Sequence, residues 1–141
     1  TGIDISHHAL KICKINAYKL GVKNRVRLFK SDIDKFNLGK YDLILSNPPY
    51  IKNLDLKYLE KDVINYEPLS ALNGGIDGLS EIRKVINNST QLIKKKGILV
   101  LEIGFNQSEE VKKILYRKGF YINKVFKDLS KKNRCIVSTK I

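Results

Sequence analysis

The alternation of short apolar segments with longer segments of helical periodicity constrains the fold most strongly. Four apolar segments are predicted strands: residues 3–5, 26–30, 41–46 and 98–103. Three segments with apolar residues at helical spacing, each followed by a glycine, are predicted helices: residues 6–20, 79–95 and 107–118. Strands that alternate with helices predict an α/β fold, with a mostly parallel sheet and helices on both of its faces. Residues 121–127 and 134–138 are predicted to add an antiparallel pair at the C-terminal edge.

Two further segments refine this prediction. Residues 41–46 are nearly all apolar, which predicts a strand buried on both faces. Residues 51–78 contain Glu67-Pro68 and Gly74-Gly75 and are predicted to be rich in loops. With 141 residues and no linker of low complexity, the chain is predicted to form one domain over residues 1–141.

The composition leads us to expect a cytoplasmic location. The hydrophobic fraction is 43%, and no run approaches the roughly 18 apolar residues that a membrane span requires. Thr1 to Asp4 has none of the features of a secretory signal, so no membrane association is expected. Two cysteines are too few for a disulfide scaffold. His7 and His8 have no neighbouring metal ligands, so no metal site is predicted.

The charge is strongly positive. The 27 Lys and Arg residues against 14 Asp and Glu residues give a formal net charge of +13. Such an excess favours encounters with polyanions such as nucleic acid or ribosomal particles. The lysines are scattered, however, and their longest run is only Lys94 to Lys96. A weak nucleic-acid or ribosome association and a simple compositional bias are both consistent with this pattern.

Polar residues at the ends of predicted strands give the first functional signal. Asp4, Asp32, Asn47 and Glu102 all lie at or just after such an end. In parallel α/β sheets, ligands bind outside the carboxyl ends of the strands. These side chains are therefore candidates for a binding site.

The segment Asn47-Pro48-Pro49-Tyr50 has the chemistry of a site for a planar NH2 group. An amide or aromatic amino nitrogen is a poor nucleophile, because its lone pair is delocalised. The Asn47 side-chain oxygen and the Pro48 carbonyl can accept one N–H each and turn the lone pair towards a methyl donor. The two prolines stiffen the loop, and Tyr50 offers a flat face for stacking. The alternative is a rigid turn that only happens to contain two prolines.

The two aspartates suggest where a nucleoside binds. Asp4 ends its strand, where a carboxylate can accept hydrogen bonds from both ribose hydroxyls. Asp32 can accept from an adenine amino group, with Ile33 packing on the ring. The alternatives are that Asp4 caps the following helix beside Ser6 and that Asp32 only forms a turn.

The chain resembles the release-factor glutamine methyltransferase family (PrmC/HemK) along essentially its whole length. The resemblance rests on the following segments, taken in order: residues 3–6 (I-D-I-S), 9–10 (A-L), 16–17 (N-A), 31–32 (S-D), 46–51 (S-N-P-P-Y-I), 66–72 (Y-E-P-L-S-A-L), 75–79 (G-I-D-G-L) and 101–104 (L-E-I-G). Enzymes that methylate the exocyclic amino group of adenine share the N-P-P-Y element. The E-P-L-S-A-L and G-x-D-G-L blocks are more specific to the glutamine enzymes.

The resemblance implies a Rossmann-like class I methyltransferase that uses S-adenosylmethionine. Its substrate would be the Gln of the Gly-Gly-Gln motif in peptide chain release factors, which links the chain to translation termination. Asn47, Pro48 and Tyr50 would be catalytic, and Pro49 would also line the substrate site. Asp4, Asp32, Ile33 and Asn47 would bind the cofactor, whereas Glu67 and Glu102 receive no role.

The chain departs from the family at its beginning. It lacks the Gly-rich first cofactor motif and the helical N-terminal domain, and it begins at what would be the second strand. We therefore expect a partial catalytic domain and a complementary N-terminal segment as a partner. The alternatives are a nucleic-acid adenine-N6 methyltransferase and an inactive fragment of a split methyltransferase.

Overall fold

The computed structural model describes the backbone of residues 1–141 and every side chain except those of Lys61 and Ile64. The chain divides into two compact units, Thr1–Asn37 and Leu38–Ile141. We call them the N-terminal unit and the C-terminal unit and describe each by itself. No helix in the part of the chain described here is long and apolar enough to cross a membrane.

The N-terminal unit is a strand–helix–strand motif. It contains strand β1 (Gly2–Asp4), helix α1 (His7–Lys19), strand β2 (Leu28–Lys30) and 3-10 turns at Lys23–Arg25 and Ile33–Lys35. Strands β1 and β2 pair in parallel, which places their carboxyl ends side by side. The predicted strand 26–30 is shorter than expected. Its first residue ends a 3-10 turn, and only three residues of β1 are available for pairing.

Helix α1 begins where the sequence predicts. The Ser6 hydroxyl accepts a hydrogen bond from the Ala9 N–H at 3.2 Å, which satisfies one of the free donors at the start of the helix. The Asp4 carboxylate accepts from the Ser6 N–H at 2.7 Å. The predicted capping role of Ser6 is confirmed. The alternative interpretation of Asp4 is a carboxylate that caps the following helix beside Ser6. One of the two Asp4 oxygens makes such a local contact.

The C-terminal unit contains a mixed sheet and four helices. Its elements are β3 (Tyr41–Ser46), a 3-10 turn (Leu56–Tyr58), α2 (Lys61–Tyr66), α3 (Leu69–Leu72), α4 (Ser80–Leu92), β4 (Ile93–Glu102), α5 (Ser108–Arg117), β5 (Phe120–Lys127) and β6 (Asn133–Lys140). The strand order is β3-β4-β6-β5. Strand β3 runs parallel to β4, and β6 is antiparallel to both β4 and β5. The α/β class and the antiparallel C-terminal pair are confirmed.

Helices α4 and α5 contact each other and cover one face of this sheet. Residues fully buried on the strands and helices form the core: Ile82, Ile86, Leu99, Leu101, Val111, Leu115, Phe120 and Ile136. On β3, however, Leu43 and Leu45 are 51% and 67% exposed. The prediction that residues 41–46 are buried on both faces is therefore wrong for this structure. Strand β3 is the edge of its sheet, so it has a strand neighbour on one side only within that sheet.

Two other boundaries differ from the prediction. Helix α4 ends at Leu92 instead of near residue 95, because Ile93 already pairs with Tyr41 of β3. The intervening lysines form an irregular stretch of β4, in which Lys96 has a positive φ of 64°. The predicted loop at residues 51–78 includes the short helices α2 and α3. Helical propensity of the lysine run is thus overridden by strand pairing.

Candidate functional site

The segment Asn47–Tyr50, which we call the NPPY loop, follows the last residue of β3 directly. Pro48 is buried, whereas Asn47 is exposed. Within the part of the chain that the structure describes, neither the Asn47 side-chain oxygen nor the Pro48 carbonyl accepts a hydrogen bond. Both predicted acceptors are therefore unengaged within the described part of the protein.

A cavity of about 290 Å³ lies beside this loop. It is lined by Leu45, Ser46, Asn47, Val100, Glu102 and Cys135. The cavity thus sits at the carboxyl ends of the parallel strands β3 and β4, where ligands bind in sheets of this type. Burial raises the pKa of the Cys135 thiol, with a smaller effect from Glu102, so this side chain is a neutral wall of the cavity.

The Tyr50 side chain is held by two charged residues. Its hydroxyl donates to Glu102 Oε1 at 3.2 Å and accepts from Arg134 Nη1 at 3.4 Å. The Arg134 guanidinium lies 5.9 Å from the centre of the Tyr50 ring and also forms an ion pair with Asp128 at 3.1 Å. Burial, and then the charge of Glu102, raises the pKa of Tyr50. Tyr50 is therefore a protonated, oriented ring and not a base.

The backbone of the loop is held by a different set of contacts. Gln107 Nε2 donates to the Tyr50 carbonyl at 3.0 Å. The Ile51 N–H donates to the Leu72 carbonyl at 3.1 Å, and the Gly74 N–H donates to the Ile51 carbonyl at 2.8 Å. The last residue of the E-P-L-S-A-L block, Leu72, and Gly74 are thus both hydrogen-bonded to Ile51, the residue that follows the NPPY loop.

Asp4 and Asp32 both lie at the carboxyl end of the β1–β2 pair in the N-terminal unit. Asp4 Oδ1 is occupied by the Ser6 N–H, while the other carboxylate oxygen accepts nothing from the described residues. The Asp32 side chain makes no cap hydrogen bond, and the adjacent Ile33 is half-buried. That these residues share a cleft with Asn47 stays a prediction.

Sequence reasoning missed the residues that hold the loop. Gln107 and Arg134 have no motif of their own, although Gln107 follows Gly104 by three residues in the L-E-I-G block. Glu102 contacts Tyr50, whereas Glu67 is exposed at the end of α2.

Asp77 accepts a hydrogen bond from the Leu79 N–H and forms an ion pair with Arg83. The hydrogen bond from Arg83 lowers the pKa of Asp77, and the two contacts fix the start of α4.

No group of three or more His, Cys, Asp or Glu side chains among the described residues is placed to hold a metal ion. His7 and His8 are both exposed at the start of α1. The polar residues that line the cavity are instead Ser46, Asn47 and Glu102, whose hydroxyl, amide and carboxylate groups are suited to hydrogen-bonding an organic ligand.

Comparison with known proteins identifies the family. Residues 1–139 match the family model described as a methyltransferase domain. The chain is 40% identical over 134 residues to a bifunctional methyltransferase of Rickettsia typhi, which covers 94% of the chain and 26% of that relative. It is 34% identical over 140 residues to a release factor glutamine methyltransferase of Clostridium acetobutylicum, which covers 97% and 49%. The chain therefore spans half or less of the length of these relatives.

A solved structure agrees on the fold. The ribosomal protein L11 methylase from Lactobacillus delbrueckii superposes over 99% of this chain and 57% of its own, with a TM-score of 0.69 and 16% identity. The fold is that of the class I S-adenosylmethionine-dependent methyltransferases, and family and fold together imply S-adenosylmethionine as the cofactor. The chain belongs to the methyltransferase domain family.

Proposed function

We propose that this chain carries the catalytic region of a protein-(glutamine-N5) methyltransferase. It would transfer a methyl group from S-adenosylmethionine to the side-chain amide of the Gln in the Gly-Gly-Gln motif of release factors. The observation that carries the proposal is the pair of unengaged acceptors, Asn47 Oδ1 and the Pro48 carbonyl, in a loop that is otherwise held firmly. Relatives named release factor glutamine methyltransferase, at 34–36% identity, support it.

The proposed mechanism uses geometry instead of a strong base. A substrate NH2 group donates one hydrogen bond to Asn47 Oδ1 and the other to the Pro48 carbonyl. This orientation leaves the lone pair of the nitrogen perpendicular to the amide plane and free to attack. The C–S bond of the sulfonium would break as the C–N bond forms, S-adenosylhomocysteine would leave, and the proton displaced from the nitrogen would pass to solvent. The ring of Tyr50, fixed by Glu102 and Arg134, supports the flat face of the amide. Positioning of this kind lowers the barrier because the reacting atoms are already aligned.

The N-terminal unit offers a fitting set of groups for the cofactor, which supplies an electrophilic methyl group on a sulfonium. The free oxygen of Asp4 can accept from a ribose hydroxyl. Asp32 can accept from the adenine amino group, and half-buried Ile33 can pack on the adenine ring. In this proposal Asn47 borders both the cofactor and the substrate.

The decisive test measures methyl transfer to two substrates in parallel. A release factor with an intact Gly-Gly-Gln motif and an adenine-containing oligonucleotide are incubated with labelled S-adenosylmethionine. Mass spectrometry of the release factor should then locate one methyl group on the motif glutamine. The net charge of +13 favours nucleic-acid contact, so methylation of the oligonucleotide alone would instead establish the adenine-N6 activity.

We further propose that a complementary N-terminal segment completes the sheet beside β3. The edge of β3 has no partner among the described strands, and its residues Leu43 and Leu45 are exposed. Exposed apolar edges are unfavourable in soluble proteins, so an added strand would remove unpaired backbone groups and apolar surface. The relatives have sequence outside the matched region from which such a segment could come.

Calorimetric titration of S-adenosylmethionine tests this second proposal. The chain alone should bind the cofactor weakly or not at all, and the chain mixed with the upstream segment of a relative should bind it more tightly and melt at a higher temperature. Low-micromolar binding by the chain alone, with no gain from the added segment, would rule the proposal out.

A further inference from the structure

Gln107 is a buried polar residue placed just before α5, and its side chain is only 6% exposed. Its side-chain oxygen accepts from the Gly104 N–H at 2.9 Å. Its side-chain nitrogen donates to the Tyr50 carbonyl at 3.0 Å and to the Gly78 carbonyl at 3.1 Å. A glutamine amide has two N–H donors, so both are used and neither remains for a substrate.

This single amide joins three segments that are far apart in sequence. They are the NPPY loop, the loop before α4 that contains Gly78, and the turn after β4 that contains Gly104. Since a buried polar group must find partners, the amide holds each of these segments at hydrogen-bond distance. The end of the NPPY loop is thereby connected to the rigid junction between β4 and α5.

The glycines of two sequence blocks surround this amide. A Cβ on Gly78 would lie 2.5 Å from the Tyr50 carbonyl oxygen and 2.7 Å from Gln107 Nε2. A Cβ on Gly104 would lie 2.9 Å from Gln107 Oε1. Only glycine fits such close approaches without a shift of the neighbouring atoms. The glycines of G-I-D-G-L and L-E-I-G therefore make room for one shared contact, centred on Gln107.

The hydrogen bond from Gln107 to the Tyr50 carbonyl also restrains the Pro48 carbonyl. The Tyr50 carbonyl is two residues after the Pro48 carbonyl, and Pro49 between them has a fixed φ. Fixing the Tyr50 carbonyl therefore limits the directions in which the Pro48 carbonyl can point. Arg134 and Glu102 hold only the Tyr50 side chain. The same peptide unit is held on its other side by the Ile51 N–H, which donates to the Leu72 carbonyl at 3.1 Å, so Gln107 and Leu72 fix this unit together.

We propose that Gln107 is a positioning residue that aims the substrate acceptors of the NPPY loop by holding the Tyr50 carbonyl. This inference rests on the proposed function for its effect on turnover. Gln107 itself does not touch the substrate.

The experiment compares Gln107→Glu and Gln107→Met with wild type. The glutamate variant places a carboxylate oxygen opposite two carbonyl oxygens, and the methionine variant keeps the length and removes the hydrogen bonds. In both, backbone hydrogen exchange of the 141-residue chain should speed up in residues 47–53 and 72–78. In the chain mixed with the complementary N-terminal segment, kcat should fall roughly 10- to 100-fold, because misplacement of about 1 Å costs that much, with the cofactor Kd within about threefold.

Leu115→Ala is the matched control. Leu115 is fully buried on α5, but it makes none of the contacts to the NPPY loop described above. The variant should lower thermal stability at least as much as Gln107→Met, with kcat unchanged well below its melting temperature. A fall in kcat with Leu115→Ala that matches the fall with Gln107→Met would show that Gln107 acts only through stability, and would overturn the inference.

The outcomes separate this inference from the proposed function. If the wild-type chain, mixed with the complementary N-terminal segment, methylates neither release factor nor oligonucleotide, the proposed function fails. Hydrogen exchange of the 141-residue chain still decides whether Gln107 holds the loop. Exchange that is unchanged in both variants, or faster everywhere alike, overturns the inference. If wild type is active and Gln107→Met has the same kcat as wild type, the inference is also overturned.

Discussion

The NPPY loop and the carboxylates of the N-terminal unit both follow the carboxyl ends of parallel strands, but they are held very differently. Tyr50 of the loop is fixed through its ring, its hydroxyl and its carbonyl by residues far away in sequence. Asp4 is held by one bond to a residue two positions away, and Asp32 by no side-chain cap bond. One region is braced by tertiary contacts and the other by local ones.

The difference matches what each region has to do in the proposed reaction. The acceptors of the NPPY loop must be aligned before the substrate arrives, because alignment is their contribution to rate. The carboxylates only need to bind a nucleoside, and binding tolerates adjustment of a half-buried side chain that has few partners. We therefore expect changes at the loop to affect turnover and changes at the carboxylates to affect cofactor affinity.

The largest expected effect tests the loop from the side of the substrate. A release factor whose motif glutamine is replaced by glutamate offers no N–H to Asn47 Oδ1 and the Pro48 carbonyl, and its charge faces two acceptor oxygens. We expect kcat/KM to fall by about 10⁴, as for sites built around a hydrogen-bonding group. The measurement is a steady-state methylation assay with both release factors. Comparable rates would show that the two acceptors do not select the substrate.

The next effect removes one acceptor from the enzyme. Asn47→Ala should lower turnover roughly 100- to 1,000-fold, because the loss of one preorganised partner of a reacting group costs about 3 to 4 kcal/mol. Cofactor affinity should stay within a few-fold. Asn24→Ala, at an exposed asparagine in the N-terminal unit, is the matched control and should retain wild-type turnover. An Asn47→Ala enzyme with more than about half of wild-type turnover would refute the role of Asn47.

The same contrast explains what could be predicted from the sequence. The α/β class, the cap at Ser6 and the antiparallel pair depend on local periodicity and on short-range signals, and these predictions are confirmed. Asn47 and Tyr50 were recognisable because a short, contiguous motif contains them. Their unengaged or oriented groups fit the predicted chemistry, although their roles remain proposals.

The contacts that brace the loop could not be predicted in the same way. Gln107 lies 57 residues after Tyr50, and Arg134 lies 84 residues after it, so no local pattern connects them. Their pairing depends on the order in which β3, β4 and β6 lie in the sheet. The exposed face of β3 was missed for a related reason. An apolar strand indicates burial on both faces, but which faces are covered depends on tertiary packing.

A smaller effect is expected in the region with local contacts. Asp4→Asn keeps an acceptor for the Ser6 N–H but loses the charge that would favour a ribose hydroxyl. Hydrogen bonds to charged groups contribute about 1.5 to 3 kcal/mol, so the Kd for S-adenosylmethionine should rise roughly tenfold or more. Turnover at saturating cofactor should stay within about threefold.

Isothermal titration and a saturation assay check the two halves of this prediction. Asp34→Asn is the control, because Asp34 is an exposed carboxylate in the same unit and in the turn after β2. An Asp4→Asn enzyme with wild-type affinity would remove Asp4 from the cofactor site. One with lost turnover at saturating cofactor would contradict the division of roles between the two regions.

The smallest expected effect concerns how tightly the Tyr50 side chain is held. Burial and Glu102 raise the pKa of Tyr50 in the folded protein, so the neutral phenol is favoured by folding. Its contribution to stability is fully present below the unfolded pKa of about 10 and is lost as the pH rises through the higher folded value. Tyr50→Phe lacks this titration. The stability difference between wild type and Tyr50→Phe should therefore be constant from about pH 7 to 9 and should shift against wild type above about pH 10, as measured by chemical denaturation at each pH.

Tyr116→Phe, which removes an exposed phenol, controls for the loss of one ionisable group. A difference that does not change up to about pH 11 would show that Tyr50 is not held in the buried, charge-flanked position that distinguishes the NPPY loop from the carboxylates.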